Sequence, residues 1–268
     1  GNVPVYVDRS ADLQKAARYI VASKAFDCST ICATEQAVVA DKPIAGELER
    51  LMQAEGAYFA DEHQTELLRK LLFHPDGTIN TAVVGKTAQT VAGTAGFSIP
   101  QSARIIVVRL KVTGEAEPLS REKLTTVLGW YEEDGWEAGC ERCIDLIMFG
   151  GRGHTQIIHA RDEKVIMAFG LEKPVFRILV NTMGTLGAVG LTTGLMPSMT
   201  LGAGGEGGSI TGDNITVHHL YNVKRLAYEI TPPPPSALSN AATTPALSNA
   251  QEVEALVKKV IQEIIYQK

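Results

Sequence analysis

Short runs of apolar, largely β-branched residues alternate along this chain with longer segments of helical periodicity. Val3 to Val7, Gln36 to Ala40, Ile105-Ile106-Val107-Val108, Ile157-Ile158 and Arg177 to Val180 each read as a strand. Several are apolar at consecutive positions, the pattern of a strand covered on both faces. Between them, Ser10-Ala11-Asp12 opens a helix running through Ile20 into Lys24, with Leu13, Ala17, Ile20 and Val21 on one side. Ile44 to Ala60, Thr65 to Leu72 and Tyr131 to Ile147 also read as helices, the last despite Gly135 and Gly139, whereas Leu124 to Trp130 shows no clear period. This alternation predicts an α/β fold, a mostly parallel sheet flanked by helices. From Thr182 to Gly212 the chain carries ten glycines and few apolar pairs, which reads as long functional loops.

At 268 residues, 45% hydrophobic and 21% charged, the chain has material for a substantial core. Twenty-five basic against thirty acidic side chains, a net charge of −5, argue against a nucleic-acid partner. No apolar run reaches the ~18–20 residues of a membrane helix, and no signal peptide is visible. Four cysteines, Cys28, Cys32, Cys140 and Cys143, are too few for a disulfide scaffold and favour a reducing, cytoplasmic setting. Gly1-Asn2-Val3-Pro4 begins in strand character without a methionine, so a fragment or processed product is expected.

Cys32 lies in Phe26-Asp27-Cys28-Ser29-Thr30-Ile31-Cys32-Ala33-Thr34-Glu35-Gln36, between a predicted helix and a predicted strand. A thiol there has two readings: a small buried hydrophobe, or an exposed nucleophile beside backbone N–H groups that stabilise a thiolate or an oxyanion. Cys28, four residues earlier, is placed to share a helical face with it; the pair lacks the further ligands a metal needs, so no metal is expected. Cys140 and Cys143 form a CxxC inside a predicted helix, where packing is the simpler reading. Gly202 to Gly207 satisfies GxGxxG, but Pro197 and Ser198 precede it and Gly208 to Gly212 follow, so it neither follows a strand nor opens a helix. His154, in Gly150-Gly151-Arg152-Gly153-His154-Thr155, is either an acid–base or ligand-binding residue or a plain turn histidine.

Two segments then change character. Residues 231–250 contain four consecutive prolines and little beyond Ser, Ala, Thr and Asn, the composition of a stiff, unpacked linker. Residues 251–268 place Val253, Leu256, Val257, Val260, Ile261, Ile264 and Ile265 on one stripe, with Glu252, Glu254, Lys258, Lys259 and Glu263 opposite. This predicts an amphipathic helix built to dock, onto a partner or onto its own body. Its polar face has no basic excess, which disfavours a membrane surface.

FDCSTICATEQAVV, GGRGHT, and TTGLMPSMTLGAGGEGG with DNITVHHLYNVKRLAYE resemble the CoA-acylating aldehyde dehydrogenases of acetaldehyde and propionaldehyde type, from Gly1 to about Glu229. The resemblance implies an aldehyde-dehydrogenase catalytic domain over 1–230, with the nucleotide-binding half of the family absent. It implies oxidation of a short-chain aldehyde to its acyl-CoA with NAD and coenzyme A. Cys32 matches the nucleophile that carries a thioacyl group, its own N–H holding part of the oxyanion. Glu122, in Ser120-Arg121-Glu122-Lys123-Leu124, matches the carboxylate that holds the nicotinamide ribose, although a solvated acid at a helix start is the bland alternative. His154 matches a histidine of the cofactor or CoA pocket. Thr30 and Ile31, with Pro197, Ser198 and Thr200, line up with substrate-side loops, and Thr30-Ile31 favours the acylating over the hydrolytic branch. Cys28 and Ser29 stand where relatives often carry Asn-Gly, which implies a stiffer loop with a second, oxidation-sensitive thiol. The linker and tail resemble the encapsulation peptides of enzymes packed in bacterial microcompartments, which implies a shell-protein partner through 251–268, a luminal location and a homo-oligomer. A hydrolytic aldehyde dehydrogenase and a non-enzymatic assembly module are the alternatives. Without the nucleotide half, the isolated 268 residues are expected to turn over poorly.

Overall fold

The computed structural model describes residues 1–238, 254–255 and 257–259. Seven strands among them form one sheet: β1 (Val3–Val7), β2 (Glu35–Asp41), β3 (Ala57–Phe59), β4 (Ile105–Arg109), β5 (Val127–Glu133), β6 (Gln156–His159) and β7 (Ile178–Val180). Their order is β3-β4-β5-β2-β1-β6-β7, and every neighbouring pair is parallel. The helices are α1 (Leu13–Ala25), α2 (Ala45–Ala54), α3 (Glu62–Leu72), α4 (Ala88–Ala95), α5 (Trp136–Gly150), α6 (Glu163–Glu172) and the short α7 (Gly184–Ala188).

Strand residues alternate between two apolar layers. Val5, Val7, Val38, Ala40, Val107, Leu128, Trp130 and Ile157 pack with Ile20 and Val21 of α1 and Leu48 and Met52 of α2. Tyr6, Val39, Ile106, Val108, Val127, Tyr131 and Ile158 pack with Leu68 and Leu72 of α3, Val91 of α4, Cys140, Cys143 and Leu146 of α5, and Phe169 of α6. Because both faces are covered, the strands need apolar residues at every position, which is what made them legible in sequence.

Two sequence expectations are corrected. The helix expected over Ile44 to Ala60 ends at Ala54, and Ala57–Phe59 is edge strand β3, after a turn in which Gly56 has φ +102°. The helix expected over Tyr131 to Ile147 starts only at Trp136; Tyr131 to Glu133 complete β5, which also takes in Val127 to Trp130 of the unclear Leu124 to Trp130 segment. Neither α4 nor α6 stood out in the sequence reading.

Helix α5 approaches β1 so closely that a Cβ on Gly139 would sit 2.3 Å from Cε2 of Tyr6. Tyr6 is fully buried and stacked on Phe169 at 4.7 Å between ring centroids, so it has nowhere to go. Gly139→Ala should therefore lower the unfolding free energy by ~1–3 kcal/mol, read as a fall in the denaturant midpoint at unchanged m-value, even though alanine is the better helix former.

The chain divides into two units, Gly1–Tyr221 and Asn222–Lys268. In the second, 222–234 has no regular structure, Pro235–Leu238 form one helical turn, and these residues are exposed. The helical turn at Pro235 departs from the wholly extended proline spacer expected there. Residues 254–255 and 257–259 are helical and Lys258 pairs with Glu254 at 2.8 Å. The rest of the predicted tail helix, and 239–250 of the linker, lie outside the described residues.

Candidate active site

The polar residues singled out in the sequence collect at the amino-terminal edge of the sheet, in the segments that enter its strands. Gly1 and Asn2 lead into β1, Cys32 and Glu35 into β2, Glu122 into β5, His154 into β6 and Arg177 into β7. Parallel pairing of β5, β2, β1, β6 and β7 as direct neighbours brings these entries side by side. The meeting point is Gly1. A Cβ placed there would lie 3.1 Å from the Cys32 carbonyl and 3.0 Å from Cγ of His154, and the Gly1 nitrogen lies 2.5 Å from Glu122 Oε1. Asn2, buried, donates through Nδ2 to the carbonyls of Ser120 and Leu146, tying the Glu122 segment to α5.

Cys32 follows a turn in which Asp27, Cys28 and Ser29 all have positive φ, 47°, 48° and 67°. Left-handed backbone at non-glycine residues costs ~1–2 kcal/mol each, and Asn-Gly would adopt it more readily than Cys-Ser. The expectation that Cys28 and Cys32 share a helical face is overturned, because this left-handed stretch breaks the helix between them. Thr30 donates from Oγ1 to both the carboxylate and the carbonyl of Asp27, closing the turn. Ile31 packs against the core. Cys32 is half-buried. Among the described residues its N–H donates to no carbonyl or side chain, which leaves that N–H for an incoming oxygen.

Behind the turn lies a buried polar layer that sequence reasoning missed. Lys24 donates to Gln36 Oε1 at 3.2 Å, and the same oxygen accepts the Lys123 N–H at 3.1 Å. The Lys123 amine donates to the carbonyls of Leu119 and Arg121, shaping the segment that carries Glu122. Burial drives the Lys24 amine well below its usual range and the Lys123 amine down to about 7. Glu35 accepts the Gly184 N–H at 2.8 Å, and its other oxygen has no partner. Burial pushes its carboxyl from 4.5 up to about 7. The folded state thus holds a proton that the unfolded chain releases above 4.5. Its contribution is fully present below 4.5 and lost as pH rises through about 7. Glu35→Gln cannot ionise, so the stability of the wild type relative to this variant should fall by on the order of 3 kcal/mol between pH ~4.5 and pH ~8, measured by denaturation across that range.

His154 makes a 2.9 Å hydrogen bond between Nδ1 and Thr155 Oγ1 and shows no partner at Nε2 among the described residues. Burial first, then the chain amine and Arg177, push it down to about 3, so it is neutral at physiological pH. Its loop is held by glycine at 153, where φ is +75° and a Cβ would stand 1.8 Å from the Ala203 carbonyl.

Arg177 organises the glycine-rich loops. Its guanidinium donates to the His154, Gly202, Gly212 and Asp213 carbonyls at 2.7 to 3.2 Å, and Nε donates to Asn214 Oδ1 at 2.8 Å. Asn214 in turn donates to the carbonyls of Ala188 and Met196. Burial pulls the Arg177 guanidinium down, and the neighbouring Cys32 and Asp213 act against that pull. The sequence signal for Arg177 was one cation flush against an apolar strand, too common to single out. The loops enclose a cleft of about 640 Å³ lined by Phe176, Arg177, Met196, Asp213, Asn214 and His219 among others. Pro197, Ser198 and Thr200 are not on its wall. Ser198 Oγ instead donates to the Thr200 carbonyl and accepts the Thr200 N–H, and Ser198 N–H donates to Val189. The structure therefore brings Cys32, Glu122 and His154 together and shows no hydrogen bond from them to the 197–200 loop. The GxGxxG run forms a short 3-10 turn at Gly205–Gly207, with no strand entering it and no helix leaving it. No cluster of metal ligands occurs among the described residues, and no helix there is long and apolar enough to cross a membrane.

No family model matches the chain. It is 35% identical over 235 residues to an aldehyde-alcohol dehydrogenase of Streptococcus pneumoniae, which spans 84% of this chain and 27% of that protein. Among solved structures, an acetylating aldehyde dehydrogenase from Geobacillus thermoglucosidasius superposes with a TM-score of 0.84 at 41% identity, over 87% of this chain and 52% of that one. A propionaldehyde dehydrogenase from the Clostridium phytofermentans fucose utilisation bacterial microcompartment gives 0.72 at 28% identity, over 80% and 48%. Variants of that enzyme with one histidine or one cysteine replaced by alanine have also been solved. The chain thus spans about half the length of these solved relatives, and about a quarter of the streptococcal protein.

Proposed function

From the premise that this chain is homologous to the acylating aldehyde dehydrogenases over more than four-fifths of its length, we propose that it carries the nucleophile of an enzyme converting a short-chain aldehyde, acetaldehyde or propionaldehyde, to its acyl-CoA. The carrying observation is the meeting of Cys32 and a neutral His154 around Gly1, with the Cys32 N–H unengaged. The Cys32 thiolate attacks the aldehyde carbon, and its own N–H donates to the oxyanion that forms. When bound, NAD+ supplies the hydride acceptor that turns this adduct into a thioester on Cys32. The incoming CoA thiol, accepted as a hydrogen-bond donor by the unengaged Nε2 of neutral His154, then attacks the thioester, and its proton goes with the departing Cys32 sulfur while the acyl group passes to CoA.

The structure suits a nucleotide ribose at Glu122. Its carboxylate is 29% exposed and borders a cleft of about 210 Å³ with Phe73, Ile79, Arg121 and Phe149. A half-open carboxylate is the group that accepts hydrogen bonds from a vicinal diol. Thr30 closes the turn that carries the thiol, and Ile31 seats that turn on the core.

In the full-length protein, aldehyde with NAD+ should give sustained NADH formation, beyond one turnover per site, only when CoA is present, with acyl-CoA as product. Sustained NADH formation without CoA, and free acid, would assign hydrolytic chemistry instead. A second part of the proposal is a homo-oligomer held in a microcompartment lumen, with 251–268 binding a shell protein; the microcompartment relative supports the location alone. Deleting 251–268 should abolish shell association while sparing turnover; a large drop in melting temperature would instead place the tail on its own body.

A further inference from the structure

We propose that Cys140 and Lys173 are an oxidative modification site, in which a covalent bond between Sγ and Nζ staples α5 to the end of α6. Lys173 is the residue directly after α6, and its Nζ donates to Sγ of Cys140, in the middle of α5. The pair is enclosed, at 6% exposure for Cys140 and 7% for Lys173. The amine also lies 4.0 Å from the centre of the Phe169 ring. Among the described residues it has no carboxylate partner. An enclosed lysine is normally paired with an acid; here its polar partner is a sulfur.

Two steps make the bond, and the co-reactant is a peroxide. First, the Cys140 sulfur attacks the peroxide: an S–O bond forms, the O–O bond breaks, sulfur gives up two electrons, and one oxygen leaves as water. A sulfenic acid remains. Second, the Lys173 amine, in its unprotonated form, attacks that sulfur: an S–N bond forms, the S–O bond breaks, and the hydroxyl leaves with an amine proton as water. One peroxide becomes two waters and the pair loses two hydrogens. A second peroxide would leave one oxygen bridging sulfur and nitrogen and release a third water.

Contact between the reacting atoms raises the effective concentration of the amine, while enclosure keeps external thiols from capturing the sulfenic acid. Cys143 is the other candidate to resolve it, one helical turn on. It is fully buried and burial pushes its thiol up, which makes it the poorer nucleophile.

The test is titration of the purified protein with hydrogen peroxide, followed by non-reducing digestion and mass spectrometry. A peptide pair joined at Cys140 and Lys173, lighter than its sum by two hydrogens, is expected; the same pair carrying one added oxygen supports the link equally. A thiol reductant added after digestion should release it. The link should persist in Cys143→Ser, vanish in Lys173→Arg, which keeps the charge and lacks a nucleophilic amine, and raise the melting temperature of the oxidised wild type. Sulfinic or sulfonic acid at Cys140 with Lys173 free, a Cys140–Cys143 disulfide, or no reaction would each overturn the proposal. The wild-type readout stands whether or not the variants fold.

Discussion

Cys32→Ala in the full-length protein should lose acyl-CoA formation by ~10³-fold or more, because removing a nucleophile removes the covalent route itself. The thioester on this residue, trapped with aldehyde and NAD+ in the absence of CoA and weighed by mass spectrometry, should disappear with it. Cys28→Ala should keep both, since the left-handed turn sets Cys28 apart from the Cys32 side of the loop. The alanine is expected to fold normally: Cys32 is half-buried on a turn and takes part in no core cluster. Retained turnover in Cys32→Ala, or a trapped thioester on Cys28, would move the nucleophile elsewhere and undo the proposed mechanism.

Arg177→Ala should be the most destabilising single change at the site, by ~3–5 kcal/mol. Arg177 is 3% exposed, and truncation strips the buried Gly202 carbonyl, the half-buried Gly212 carbonyl and the buried Asn214 Oδ1 of a donor. Orphaned acceptors of this kind cost ~1–3 kcal/mol each, less whatever water entering the vacated space restores. Against a typical total of ~5–15 kcal/mol, that brings the domain near its unfolding threshold. Arg177→Lys keeps the charge without the planar fork and should recover only part of the loss. Denaturant midpoints of the three proteins decide the matter. A loss in Arg177→Ala no larger than that of an ordinary surface substitution would mean the glycine-rich loops hold their shape without the guanidinium. In the full-length protein, the lysine variant should also weaken the proposed turnover, because the His154 carbonyl is one of the anchored groups.

The two errors of secondary structure share a cause. Tyr131 and the residues Ala57 to Phe59 fit a helical stripe as well as a strand, and a short apolar segment carries no more information than that. Pairing with Ile105, Ile106 and Val107 makes 57–59 a strand, and pairing with β2 does the same for 131–133. The polar layer of Lys24, Glu35, Gln36 and Lys123 was missed for a related reason. Side chains of these types are mostly exposed, and only the packing of α1, β2 and the Glu122 segment encloses them.

What the amino-acid sequence determined by itself was the set of parts: strands apolar on both faces, amphipathic helices between them, a thiol in a turn, and a glycine-rich segment read as loop, into which the structure sets the short helix α7 that the sequence reading did not expect. Local sterics and hydrophobic periodicity act within a few residues, so those parts are written locally. Which edge of the sheet bears the chemistry was decided only in three dimensions. Cys32, Glu122, His154 and Arg177 are separated by tens of residues, and they meet because parallel pairing aligns the entries of β2, β5, β6 and β7 around β1. Strand order and register arise from long-range packing, and no local pattern specifies them.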